Sequence, residues 1–159
     1  MIRSAVFSDI DMPSDFDIVR LAREHLDGVA ELEELCFTEP WRRESLEILL
    51  GESAMGLVAV CGTRVLGYVG MMCVLDEGQI TNVCVHPECR RSGIGRALMD
   101  AVDDYSRHNG IVYLSLEVRE SNIAARSLYA SRGWIECGMR KGFYSHPTEN
   151  AVIMTRELS

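Results

Sequence analysis

Apolar positions along the chain follow two periods. From Ile94 to Tyr105 they recur at three and four: Ile94, Ala97, Leu98, Ala101, Val102 and Tyr105. That spacing lines one face of a helix, and Asn109-Gly110 supplies its stop. Directly afterwards Val112, Leu114, Leu116 and Val118 alternate with Tyr113, Ser115, Glu117 and Arg119. A period of two marks a strand, here over 111–118.

Upstream, a first strand is expected from Phe16 onward. Asp27 reads as the cap of a helix whose face carries Val29, Leu32, Leu35 and Cys36. A second helix is expected over 43–50, with Leu46, Leu49 and Leu50 inward. Segments 56–61 and 65–74 flank Gly62-Thr63, which predicts a hairpin. Residues 79–85 read as a further strand, stopped by His86-Pro87. Downstream, 122–132 reads as a helix closed by Gly133, and Trp134 onward and 151–157 give the last strands. Antiparallel hairpins followed by a β-α-β-α-β run predict an α/β (α+β) fold, a mixed sheet of six to seven strands with helices on both faces. Residues 1–15 read as an N-terminal extension and 16–159 as one domain.

Composition narrows the function. A chain of 159 residues can build a core without disulfides or metals. No apolar run approaches the roughly 18 residues of a membrane span, and the N-terminus lacks the pattern of a signal peptide, so the expected location is the cytoplasm. A net charge of -8 argues against nucleic acid and suits an amine-bearing substrate. The cysteines are Cys36, Cys61, Cys73, Cys84, Cys89 and Cys137, with no C-x-x-C pair. Cys61, Cys73 and Cys84 lie in apolar stretches and read as buried free thiols of a reducing compartment. Cys84, His86 and Cys89 cluster but match no zinc spacing, so no metal is expected.

Candidate chemistry starts at Arg90-Arg91-Ser92-Gly93-Ile94-Gly95-Arg96, which joins a strand to the best helix. A helix N-terminus offers unpaired N–H groups and positive potential, and glycines let a phosphate come close. The segment lacks the G-x-x-x-x-G-K-[ST] of a P-loop. As a dinucleotide fingerprint it has Gly93 and Gly95, and Glu117 stands about 20 residues on, but Leu98 holds the third glycine position. The remaining readings are the R-x-x-G-x-G of an acyl-CoA pyrophosphate loop and a plain helix start with solvated arginines.

Order and spacing carry a resemblance over nearly the whole chain. Asn82-Val83-Cys84-Val85-His86-Pro87 precedes the glycine loop, Leu116-Glu117-Val118-Arg119 leads to Ser121-Asn122-Ile123-Ala124-Ala125, and Leu128-Tyr129 leads to Gly133-Trp134. In these pieces the chain resembles the GNAT N-acetyltransferases. In 114–122 (LSLEVRESN), 37–41, the Tyr144 region and Ala151-Val152-Ile153-Met154 it is similar to the ribosomal-protein-alanine type.

The resemblance implies acetyl-CoA as co-substrate. It implies that main-chain groups of Val83, Cys84 and Val85 hold the pantetheine arm like an added strand. Arg90, Arg91, Ser92, Gly93, Ile94, Gly95 and Arg96 would hold the pyrophosphate, and Asn122 and Tyr129 would meet the cofactor near its reactive end. Glu117 would be the general base and Tyr129 the general acid. Phe37, Glu39, Trp41 and Tyr144 would wall the acceptor, with Glu39 facing a basic second residue. The acceptor implied is the N-terminal α-amine of a protein, a ribosomal one, with no nucleic acid or membrane partner.

The chemistry asks for such residues. An α-amine, pKa about 7.7–8.0, must lose a proton before it attacks a thioester, and a carboxylate can take it. A glutamate is a weak base at its reference value of about 4.3, so partial burial is expected to raise it. A phenol can protonate the departing thiolate. On the residues alone, Glu117 reads first as a solvent-facing acid and Tyr129 first as core, and Asn122 reads also as a helix cap. A small amine or a lysine side chain stays open as acceptor, as does a non-catalytic acyl-CoA-binding module.

Overall fold

The computed structural model describes residues 15–158, so the expected N-terminal extension lies, except for Asp15, outside the described residues. Short turns at 62–63 and 75–76 fold β2 (Ala54–Cys61), β3 (Arg64–Val74) and β4 (Glu77–Val85) into a meander. β1 (Asp17–Arg20) pairs with β2. The second half adds β5 (Tyr113–Arg119), β6 (Ile135–Tyr144) and β7 (Glu149–Glu157). The seven strands run in the order β1-β2-β3-β4-β5-β7-β6. Only β4 and β5 pair in parallel, because the chain between them crosses over as a helix.

That helix is α3 (Ile94–His108), where the periodicity places it. Its Ile94, Leu98, Met99 and Val102 are buried against Leu114, Leu116 and Val118 of β5, in a cluster that also holds Tyr129 and Trp134. Each such side chain contributes roughly 1.5–3 kcal/mol by leaving water. α1 (Leu26–Cys36) and α2 (Arg43–Leu46) form a second core with Leu49, Val58, Tyr68 and Cys84. α4 (Ile123–Ser131) follows β5. Helices thus cover both faces of the mixed sheet, as expected.

Three local expectations change. Asp27 is not the cap: a 3-10 turn at Arg23–His25 comes first, His25 holds the cap position, and Asp27 instead pairs with Arg43 at 2.7 Å. Leu35 is 56% exposed, because the buried stripe of α1 runs through Leu26, Val29, Leu32 and Glu33. The expected helix over 43–50 divides into α2 and a 3-10 turn, Glu47–Leu50, that still buries Leu46 and Leu49.

One irregularity positions the site. On β4 the residues opposite Met71 and Gly70 of β3 are Ile80 and Asn82, so Thr81 is an extra residue, a bulge. The bulge bends β4 and shifts its alternation. Ile80 belongs to the α3 side of the sheet, yet Cys84, four residues on, belongs to the α1 side. β4 and β5 face each other only from Glu77–Tyr113 to Ile80–Leu116, and then part.

Candidate active site

The parted strands frame a cleft of about 740 Å³. Phe37, Glu39 and Trp41 line one wall, Tyr144 and the 145–147 turn another, with Thr81, Asn82, Val83, Glu117, Asn122 and Tyr129 between. A smaller hollow of about 350 Å³ beside Asp76, Glu77 and Glu157 contains none of the expected site residues.

β4 turns usable main chain toward the cleft. The N–H of His86 donates to Leu66 C=O in β3 at 2.7 Å. Strand alternation then turns the main-chain groups of Val83 and Val85 away from β3, toward the gap. Cys84 pairs with Tyr68 of β3, and its thiol lies in the α1-side core. The Val85 C=O already accepts from Arg90 Nε at 3.2 Å and Cys36 Sγ at 3.5 Å. The Arg90 guanidinium is therefore turned back onto the end of β4.

Beyond β4 the 86–93 loop delivers the N-terminus of α3. Gly93 caps it at φ 88 and Arg91 sits at φ 66, both left-handed. No side chain caps this end. The first N–H to return to the helix start is that of Ala97, to Gly93 C=O at 3.0 Å. The N–H groups of Ile94, Gly95 and Arg96 are left free to meet an anion, where the macrodipole favours one. Residues 90–96 do not line the cleft itself.

Glu117 and Tyr129 reach the cleft from opposite sides. Alternation on β5 buries Leu116 and Val118 toward α3 and sends Glu117 to the α1 side. Its carboxylate is 15% exposed and lies 3.3 Å from Arg140 Nε of β6. Tyr129 comes from α4 on the α3 side, 6% exposed, its ring 5.9 Å from that of Trp134. Burial pushes its phenol well above the usual range, and nearby Tyr144 and Cys84 add to the push. It stays protonated at neutral pH. Tyr144 is pushed up to about 12, by burial and then by the Glu117 charge. Asn122 caps α4, its Oδ1 accepting from Ala125 N–H at 3.2 Å, and also lines the cleft.

Several side-chain partnerships of the site had no place in the sequence reading. Arg119 stacks on Tyr144 at 4.5 Å, pairs with Glu149 at 3.1 Å and donates to the Ser145 and Pro147 carbonyls. It fixes the turn that carries His146. That imidazole meets Glu39 at 2.6 Å and joins the two walls of the cleft. Glu33 is buried and accepts from Trp41 N–H, Tyr68 O–H and Asn82 Nδ2. Its one sequence signal was position: it falls seven residues after Leu26, on the buried stripe of α1.

Residues 26–134 match the profile of the acetyltransferase (GNAT) family. The chain belongs to that family. It is an acyltransferase. This GNAT chain is 37% identical over 133 residues to a Bacillus subtilis protein whose name, provisional there, is [ribosomal protein bS18]-alanine N-acetyltransferase; the match covers 82% of this chain and 88% of that one. The Salmonella typhimurium protein of that name is 33% identical over 143 residues, covering 87% and 95%. The crystal structure of the Escherichia coli ribosomal-protein-S18-alanine N-acetyltransferase superposes with a TM-score of 0.84 at 30% identity, covering 91% of this chain and 94% of that one.

Proposed function

We propose that this chain moves an acetyl group from acetyl-CoA to the N-terminal α-amine of a protein, the N-terminal alanine of a ribosomal protein. The observation that carries the reading is the pair Glu117 and Tyr129, facing one cleft from opposite sides of the sheet where β4 and β5 part. The names of its relatives support the acceptor.

In this reading acetyl-CoA supplies an activated thioester. The main-chain groups of Val83 and the N–H of Val85, turned to the gap, suit the amides of a pantetheine arm, and the uncapped start of α3 suits a pyrophosphate. The amine enters on the α1 side, between the 37–41 wall and Tyr144. Glu117 takes the proton the amine must lose, directly or through water. The nitrogen attacks the carbonyl carbon, the C–S bond breaks, and Tyr129 gives its proton to the sulfur; the nitrogen, on becoming an amide, gives up its second proton, which restores the Tyr129 phenol. A phenol held protonated by burial is suited to that task. Main-chain donors on the free edge of β4 stabilise the charge that develops on the carbonyl oxygen.

The test is acetyl-CoA with an alanine-initiated peptide, read by intact mass. Transfer by the wild type, with Glu117→Gln reduced by about 10²–10⁴-fold, supports the reading. Transfer by Glu117→Gln at the wild-type rate removes Glu117 from the mechanism.

A further inference from the structure

The carboxylates that line the cleft are Glu33, Glu39, Glu117 and Glu149. Three of them touch a basic side chain: Glu39 has His146 at 2.6 Å, Glu117 has Arg140 at 3.3 Å, and Glu149 has Arg119 at 3.1 Å. Glu33 differs. It is 1% exposed, and no basic side chain among the described residues pairs with it. Its Oε1 accepts from Trp41 N–H at 2.8 Å, and its Oε2 accepts from Tyr68 O–H at 2.6 Å and Asn82 Nδ2 at 3.2 Å. Three donors and no acceptor is the pattern of an ionised carboxylate. Arg90, the guanidinium that reaches α1 at Cys36, is spent on Cys36 Sγ at 3.6 Å and Val85 C=O.

A buried carboxylate normally keeps a cation, because desolvation is costly without one. Glu33 keeps only neutral donors, and it does so in the wall of a cleft. It stands on the α1 side of the sheet, the side to which Glu117 projects. Its charge therefore acts through protein and not through bulk water, where it would be screened.

Resting on the acceptor reading above, we propose that Glu33 is the counter-charge for the acceptor amine. Its potential draws the amine in as the ammonium ion, holds it on the α1 side, and favours amines over neutral acceptors such as alcohols. The ammonium proton then passes to the Glu117 carboxylate, and the neutral nitrogen attacks. Glu33 itself exchanges no proton.

The test is a cycle between the charge on the protein and the charge on the ligand. Binding of an alanine-initiated octapeptide is compared with that of its desamino analogue, which carries propionyl in place of alanyl. Wild type should prefer the amine by about tenfold or more. Glu33→Gln keeps the shape and an acceptor for Trp41 N–H, and should bring the two ligands within about threefold while acetyl-CoA affinity stays unchanged. Glu117→Gln should keep the preference, and where Glu33→Gln does not fold its loss in this arm still counts against the proposal. A preference intact in Glu33→Gln, or lost in Glu117→Gln, overturns the proposal. Loss of acetyl-CoA affinity in Glu33→Gln also overturns it. Should the wild type acetylate a lysine or a small amine and not the peptide, the α-amine reading falls, and the same cycle on that amine and its deaminated analogue decides the role of Glu33.

Discussion

Ile80 and Leu116 are the last residues at which β4 and β5 face each other. The Thr81 bulge follows at once, and from there β4 keeps β3 on one side and has the cleft on the other. Amide exchange should report this directly. In the free protein the Val83 and Val85 amides exchange faster than the Cys84 amide, which the alternation turns to β3. Saturating acetyl-CoA should slow Val83 and Val85 and leave Cys84 little changed. Equal protection of all three in the free protein would mean that the gap is closed.

The start of α3 makes a second prediction. Gly93 adopts φ 88 with open space around its α-carbon, so an added Cβ meets no atom within 4 Å and the penalty is conformational. Gly93→Ala should cost about 1–2 kcal/mol, lower Tm by a few degrees, and shrink the Tm rise given by acetyl-CoA. Gly95 lies inside the helix, where a Cβ would approach Leu128 to 3.4 Å. Gly95→Ala should hold Tm, since alanine is the better helix former by about 1 kcal/mol. Thermal melts with and without acetyl-CoA check both.

Cys36 gives a prediction in pH. It lines the cleft, and its thiol is lowered to about 7, first by the hydrogen bond with Cys84 and then by the Arg90 guanidinium, against the opposing effect of burial. Cys84, buried deeper, is pushed the other way. Alkylation by iodoacetamide should reach Cys36 first, with a rate that falls as pH drops below about 7. Acetyl-CoA should protect it. Faster labelling of Cys137, the exposed thiol, would show that access and not thiolate character decides.

Arg119 separates binding from chemistry. Its guanidinium holds the Ser145 and Pro147 carbonyls and stacks on Tyr144. Arg119→Ala should raise the peptide KM several-fold and leave the acetyl-CoA KM near wild type. Tyr129→Phe should instead lower kcat with both KM values little changed. Steady-state kinetics on the two variants distinguish these patterns.

Much of this layout was legible in the residues, and the failures have physical causes. The periods of three-four and two located α3 and β5 because both bury one face against one core. Gly93 was legible because its left-handed φ selects glycine. The Thr81 bulge was not, since a period of two cannot register one inserted residue when both faces of β4 are covered. Its consequence, Asn82 and Cys84 facing α1, was hidden with it. Nothing in the sequence set Glu33 apart, because its partners, Tyr68 and Asn82, are 35 and 49 residues away. Segment 140–147 was legible as a wall, but the partners of Arg140 and His146 were hidden for the same reason: they meet Glu117 and Glu39 only after β6 and β7 have folded back onto β5.

The most direct test of the account is the destination of the acetyl group. One peptide carrying a free N-terminal alanine and an internal lysine is incubated with the wild-type protein and acetyl-CoA, then fragmented in the mass spectrometer. The account predicts a single acetyl group on the α-amine, absent when Glu117→Gln replaces the wild type. Acetyl on the lysine alone, or an unmodified peptide beside clear stabilisation by acetyl-CoA, would contradict it.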